Sequence, residues 1–213
     1  MDYQYILVKS RRRTYTIKVT GDNRIIIRAP LNVTAEQVER ILQSKRGWIE
    51  KVLAFNAANT VIGDEIINYS RAYVCGRLLP VEVGPRNAVT PSCVRVTGVK
   101  GFRAAYVGSL GKKFLEEFAA VERATGLKAA SVKFRAYKSM WGCCDGKCNI
   151  TFNFKLMMLP QTLQRYVMVH ELCHTLHHDH SPQFWAAVAR FLPSWKSCRA
   201  ELKKYNPLVK LYQ

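Results

Sequence analysis

A chain of 213 residues is long enough to bury the core of one substantial domain, or of one domain with a small appendage. Its 48% hydrophobic and 23% charged content is ordinary for a soluble globular protein, and no apolar run approaches the roughly 20 residues of a membrane span. The excess of 33 Lys and Arg over 15 Asp and Glu leaves a formal charge of +18, which attracts polyanions: nucleic acid, nucleotides or acidic membrane surfaces.

Seven cysteines, an odd number without a framework spacing, suit a reducing compartment. The start Met1-Asp2-Tyr3-Gln4-Tyr5 lacks the charged and apolar regions of a signal peptide, so a cytoplasmic location and no membrane partner are expected. Nothing in the composition fixes the oligomeric state.

In chain order, residues 3–9, 13–19 and 24–29 read as three short strands, with Gly21-Asp22-Asn23 as turn chemistry. The arginines at 11–13 are expected to be exposed between the first two strands, as a solvated hairpin or a phosphate-binding edge. Thr34 and Gln37 form a capping-box pattern for a helix to about residue 44. A second helix is expected to carry Trp48, Ile49, Val52 and Leu53 on its core face. Strand-like stretches follow at 65–69, 73–75, 79–83 and 93–96, punctuated by Gly76, Gly84-Pro85 and Pro91.

Residues 110–125 read as an amphipathic helix with Phe114, Phe118 and Val121 in its stripe and Gly126 as its stop. Strands are expected at 131–135 and 148–154. A helix begins after Pro160, and two more span 182–191 and 194–205. The expected fold is α+β: an antiparallel, β-rich N-terminal region at 1–105 and a helical half at 106–213.

All five histidines fall between His170 and His180. His170-Glu171-Leu172-Cys173-His174 has the H-E-x-x-H pattern of helical zinc sites. Positions i and i+4 lie one turn apart on one face, so two imidazoles converge on one ion while Glu171 stays free to act as a base. His177 lies about 10 Å along the axis from His170, too far for a straight helix to deliver it to the same ion. His180 reaches the site if the chain turns back at His178-Asp179, with Ser181 capping a new helix and Pro182 in its first position. The expected ligands are therefore His170, His174 and His180, which leaves a fourth position open; His177 and His178 are expected around the site or at the surface.

Cys143, Cys144 and Cys148, with Cys173, could form a second zinc site, but their spacing lacks the C-x2-C pairs of such sites and a structural role is preferred. Arg135, Lys138 and Tyr166 are candidates for stabilising an oxyanion. Residues 149–154 could hold an extended substrate by main-chain pairing, or form an interior strand that touches none.

The spacing from His170 to His180 equals that of H-E-x-x-H-x-x-G-x-x-H zinc proteases, with His177 at the position of their glycine. A broader resemblance rests on Trp141-Gly142-Cys143-Cys144, Asn149-Ile150-Thr151-Phe152-Asn153, Pro160, Tyr166-Val167-Met168-Val169 ahead of His170, and His180-Ser181 with Phe184-Trp185. Together these resemble the YgjP-like family of predicted zinc metallohydrolases, which carries W-G-S-C, then Y-V-V-x-H-E-L-x-H, then H-S/N-x-x-F-W; Cys143 stands where serine is usual. Ser10-Arg11-Arg12-Arg13-Thr14, Ile27-Arg28-Ala29-Pro30 and Lys45-Arg46-Gly47-Trp48-Ile49 look like further signatures of that family.

The residues and the resemblance together imply a Zn2+-dependent hydrolase, most simply a peptidase with Glu171 as general base. The resemblance also implies a rival, a metal-dependent nucleoside triphosphate pyrophosphohydrolase, which the +18 charge would suit. A third expectation is a nucleic-acid-binding module with a non-catalytic zinc site.

Overall fold

Strand order in this molecule does not follow chain order. The computed structural model describes residues 3–19, 24–59, 66 and 68–212. Two compact units divide the chain, Met1–Val61 and Ile62–Gln213, whereas the expected seam lay at 105/106.

In the first unit, β1 (Tyr5–Ser10), β2 (Thr16–Val19) and β3 (Ile25–Pro30) form a sheet in the order β1-β3-β2. The expected hairpin between the first two strands is replaced by a parallel β1–β3 pair and an antiparallel β2–β3 pair. The most apolar strand takes the centre. Ile25, Ile27 and Ala29 of β3 alternate onto one buried face, whereas β1 is largely exposed. The expected turn at Gly21-Asp22-Asn23 lies outside the described residues.

Helix α1 (Ala35–Ser44) begins with the expected capping box: Gln37 N donates to Thr34 Oγ1, and Thr34 N donates to Gln37 Oε1. Val38 and Leu42 of α1, with Ile49 of α2 (Arg46–Asn59), close the core over β3. Trp48 is 46% exposed rather than in the core, because Ile49, about 100° further round the helix, takes the inward position.

The second unit holds two sheets. β4 (Arg71–Val74), β5 (Arg77–Val83), β6 (Ala88–Val89) and β7 (Val94–Val96) are ordered β4-β5-β7-β6. β8 (Ser131–Arg135), β9 (Gly142–Cys144) and β10 (Asn149–Asn153) are ordered β8-β10-β9. The fold is α+β, but the β5–β7 and β8–β10 pairs are parallel, so these sheets are mixed rather than antiparallel. In the stretch expected as a strand at 65–69, Glu65 and Ile67 lie outside the described residues, and residues 68–70 form a turn with Tyr69 at φ 61°.

Helix α3 (Phe102–Thr125) starts eight residues earlier than expected, because Phe102, Ala105 and Tyr106 extend its buried stripe ahead of Phe114 and Phe118. Phe114 and Phe118 pack edge-on against Phe152 of β10. The β4–β5 turn is seated on the short 3-10 helix Phe154–Met158, with Cys75 N and Gly76 N donating to the carbonyls of Met157 and Met158. Gly76 has φ 84°, and a Cβ there would stand 2.9 Å from Pro160 Cγ, so glycine permits this close approach at the start of the next helix.

That helix, α4 (Gln161–Cys173), is followed by α5 (Pro182–Phe191) and α6 (Trp195–Tyr205). α4 is surrounded by α3, α5, α6 and β9. Among the described residues, no helix is long and apolar enough to cross a membrane.

Candidate metal centre

α4 is apolar around most of its circumference: Leu163, Tyr166, Val167, Met168, Val169, Leu172 and Cys173 are all buried. Such a helix needs a wall on every side, and the surrounding elements supply it. Its last turn therefore brings polar side chains into a largely apolar setting. His174 ends the helix, and the next residues tighten, with Thr175 N donating to Leu172 O and His177 N to Cys173 O. The chain then turns back as expected. Asp179 Oδ1 accepts from Ser181 N, Ser181 Oγ accepts from Phe184 N, and Pro182 opens α5.

This reversal returns His180 to the end of α4. Nε2 of His180 lies 3.2 Å from Nε2 of His170, and one ligand nitrogen from each of His170, His174 and His180 falls within 4.8 Å of the others. Two nitrogens bound tetrahedrally to one zinc would stand about 3.3 Å apart. Among the described residues, this is the group of His, Cys, Asp or Glu side chains that converges in that way. The cysteines at 143, 144, 148 and 173 form no such group; Cys173 is buried, and Cys143 Sγ lies 3.3 Å from the Tyr137 hydroxyl.

The protonation chemistry suits a cation. His174 Nδ1 is 3.0 Å from the carbonyl of His177, so that nitrogen carries the hydrogen and Nε2 keeps its lone pair for the cluster. Burial, reinforced by His174, His180 and Arg199, pulls His170 down to about 3, which keeps its ring neutral and able to ligate. Among the described residues its buried Nδ1 has no hydrogen-bond partner. Burial also lowers the pKa of His174. Three imidazoles turned on one point, without a carboxylate among them, fit a divalent metal.

Aromatic rings fix these imidazoles. Phe184 stacks on His174 at 4.4 Å between centroids, and Trp185 stacks on His180 at 5.6 Å and on Trp195 at 4.5 Å. The Phe184-Trp185 pair of α5 thus clamps the rings of His174 and His180. His177 and His178 stay out of the cluster, and His177 serves His174 through its backbone carbonyl.

Glu171 is 4% exposed, and burial raises its carboxyl to about 8. Among the described residues, no group donates a hydrogen bond to it. Its carboxylate lies against β9 so closely that a Cβ on Gly142 would stand 2.7 Å from Glu171 Oε1. Gly142 is held there by its neighbours. Asn153 N donates to Trp141 O, Asn153 Nδ2 donates to the carbonyls of Tyr137 and Met140, and Trp141 Nε1 donates to Asn206 Oδ1.

Beside His170 and Glu171 opens a cavity of about 320 Å³, lined also by Trp141, Gly142, Tyr166, Arg199 and Lys203. Of the three cations and hydroxyls considered from sequence, Tyr166 lines this cavity while Arg135 and Lys138 do not. Arg199 is the residue the sequence reading missed. Its guanidinium lies 4.7 Å from the Trp185 ring centroid; its charge adds to the burial that lowers His170 and opposes the burial that raises Tyr166. The available signal was a cation inside the Trp195, Arg199, Leu202 stripe of α6, where spacing calls for an apolar side chain.

β9 is an edge strand and β10 the centre of its sheet, so 149–154 is the interior alternative and the strand with a free edge beside α4 is β9.

No curated protein matches the chain. Among solved structures it is similar to the metallopeptidase zymogen of Pyrococcus abyssi abylysin, with 21% identity, 42% of this chain and 90% of that chain covered, and a TM-score of 0.39. The model of the YgjP-like, metallopeptidase domain family matches residues 13–205, and the chain belongs to that family.

Proposed function

We propose that this chain is a zinc-dependent peptidase whose metal is held by His170, His174 and His180 and whose general base is Glu171. The convergence of three imidazoles beside one buried, unpaired carboxylate carries this reading. When bound, zinc supplies a Lewis acid that polarises a carbonyl and acidifies water. Three protein ligands with a free carboxylate alongside favour a catalytic site over a structural one, which four protein side chains usually close.

The chain's own groups divide the remaining work. Glu171, buried and without a hydrogen-bond donor among the described residues, takes a proton from the attacking water at a carboxylate oxygen and returns it to the leaving amine. Arg199, with Tyr166 beside it, faces the developing negative charge on the substrate oxygen. The free edge of β9 pairs with the backbone of an extended peptide, while Gly142 keeps the space above Glu171 clear.

Arg199 and Lys203 in the cavity also favour a second reading, a nucleoside triphosphate pyrophosphohydrolase at the same site. A panel of unfolded proteins and nucleoside triphosphates, assayed with zinc-loaded chain, separates the two. The peptidase reading expects cleavage of the proteins that a chelator abolishes and zinc restores. Metal-dependent turnover of triphosphates alone would replace it with the second reading.

A further inference from the structure

The arginine run at 11–13 has no part in the metal centre. β1 and β3 are parallel and in register from Tyr5/Ile25 to Ser10/Pro30, so both end at the same edge of the sheet. β2 lies on the far side of β3, and residues 11–15 must therefore cross the carboxyl end of β3 to reach it. Crevices outside the carboxyl ends of parallel strands, where connections diverge, are recurrent ligand sites. Here the crossing places Arg12, Arg13 and Tyr15 over Asn32 and over Gln37 and Arg40 of α1, around an open cleft of about 800 Å³.

Three features of the cleft point to an occupant. Arg12, Arg13 and Arg40 share it, no carboxylate lines it, and among the described residues none of the three has an acidic partner. Arg12 Nη1 donates to Thr16 Oγ1 at 3.3 Å, but among the described residues the buried Arg12 Nε finds no acceptor. A shielded guanidinium N–H without an acceptor is costly, and an anion oxygen would relieve both it and the repulsion among three cations. The cleft also exceeds what a phosphate group fills. Tyr15 is 44% exposed and offers a flat ring face, and the amides of Asn32 and Gln37 can donate to and accept from a base edge.

We propose that this cleft binds a phosphate-bearing nucleotide unit, with phosphate on the three arginines and the base on Tyr15. The unit comes either from a free nucleotide or from a single strand. The cleft is lined entirely from the first unit, so its occupancy is separable from the chemistry at Glu171.

Fluorescence titrations of the full chain with a labelled oligothymidylate and with a fluorescent ATP analogue test this. At low salt at least one probe binds, and the tighter one identifies the source. Arg12→Gln and Arg40→Gln each weaken it about tenfold or more. Each also flattens the log–log salt dependence of oligothymidylate binding by about 0.7. Tyr15→Ala weakens the better probe by about fivefold or more. Arg103→Gln, on α3, and Glu171→Gln change it less than about twofold. Should Arg12→Gln fail to fold, Arg40→Gln, at an exposed helix position, carries the test. The proposal is overturned if neither probe binds, if Arg103→Gln costs as much as Arg40→Gln, or if Tyr15→Ala has no effect. Loss of binding in Glu171→Gln would overturn it too, by moving the nucleotide to the metal centre.

Discussion

The contact between Gly142 and Glu171 is where a single atom should matter most. A methyl group on Gly142 would meet Oε1, Cδ and Cγ of Glu171 at 2.7, 2.9 and 2.9 Å, so the carboxylate must shift. Displacing a catalytic group by about 1 Å costs on the order of a hundredfold in rate. Gly142→Ala is therefore expected to lower kcat by about that factor while metal content stays at the wild-type value. An unchanged kcat would mean that Glu171 works from another position. For Arg199, replacement by Gln is expected to lower kcat more than it raises KM, since its charge is needed most in the transition state. A change in KM alone would reduce Arg199 to a substrate-binding group. At this scale the sequence was informative where chemistry is local: His170, Glu171, His174 and His180 stand within eleven consecutive residues. Arg199 lies on another helix, and no short-range spacing ties it to them.

Among the elements, the break between α4 and α5 is what brings His180 back to His170. Ser181 sets that break by accepting from Phe184 N, and losing an N-cap costs about 1 kcal/mol. Ser181→Ala is expected to weaken zinc binding several-fold through a looser His180, measured by competition with a chelating dye; an unchanged affinity would show that stacking on Trp185 alone holds the ring. The 3-10 helix before α4 buries Lys155, whose Nζ donates to the carbonyls of Tyr137 and Val209. Burial lowers its pKa to about 8 from a usual value near 10.5. Between those values the unfolded chain holds more protons than the folded one, so this group's penalty is fully present below pH 8 and fades as pH rises towards 10.5. The stability difference between wild type and Lys155→Met, from urea melts, is expected to shift in favour of wild type across that window. A pH-independent difference would show that Lys155 keeps its charge throughout. Caps made the starts of α1 and α5 legible beforehand, whereas the first turns of α3 were hidden by glycines at 98, 101 and 108.

For the whole molecule, alternation along a strand tells which face is buried but not which strand lies beside it. Hence β1, β2 and β3 were each foreseen, and the insertion of β3 between the other two was not. That order turns the arginine run from a hairpin tip into a wall of a cleft. A metal bound at His170, His174 and His180 would link the site to global stability. A ligand at a hundredfold its Kd adds about 2.7 kcal/mol, so stripping zinc is expected to lower Tm by roughly 5–10 °C in calorimetry. A Tm indifferent to chelation would argue that these histidines hold no stabilising ion. The central claim, that Glu171 moves protons beside an ion it does not bind, is tested most directly by Glu171→Gln. Metal content and peptide turnover are measured on the same preparation. Full zinc occupancy is expected, with turnover reduced by about a hundredfold or more. Retained turnover, or zinc lost along with the carboxylate, would contradict it.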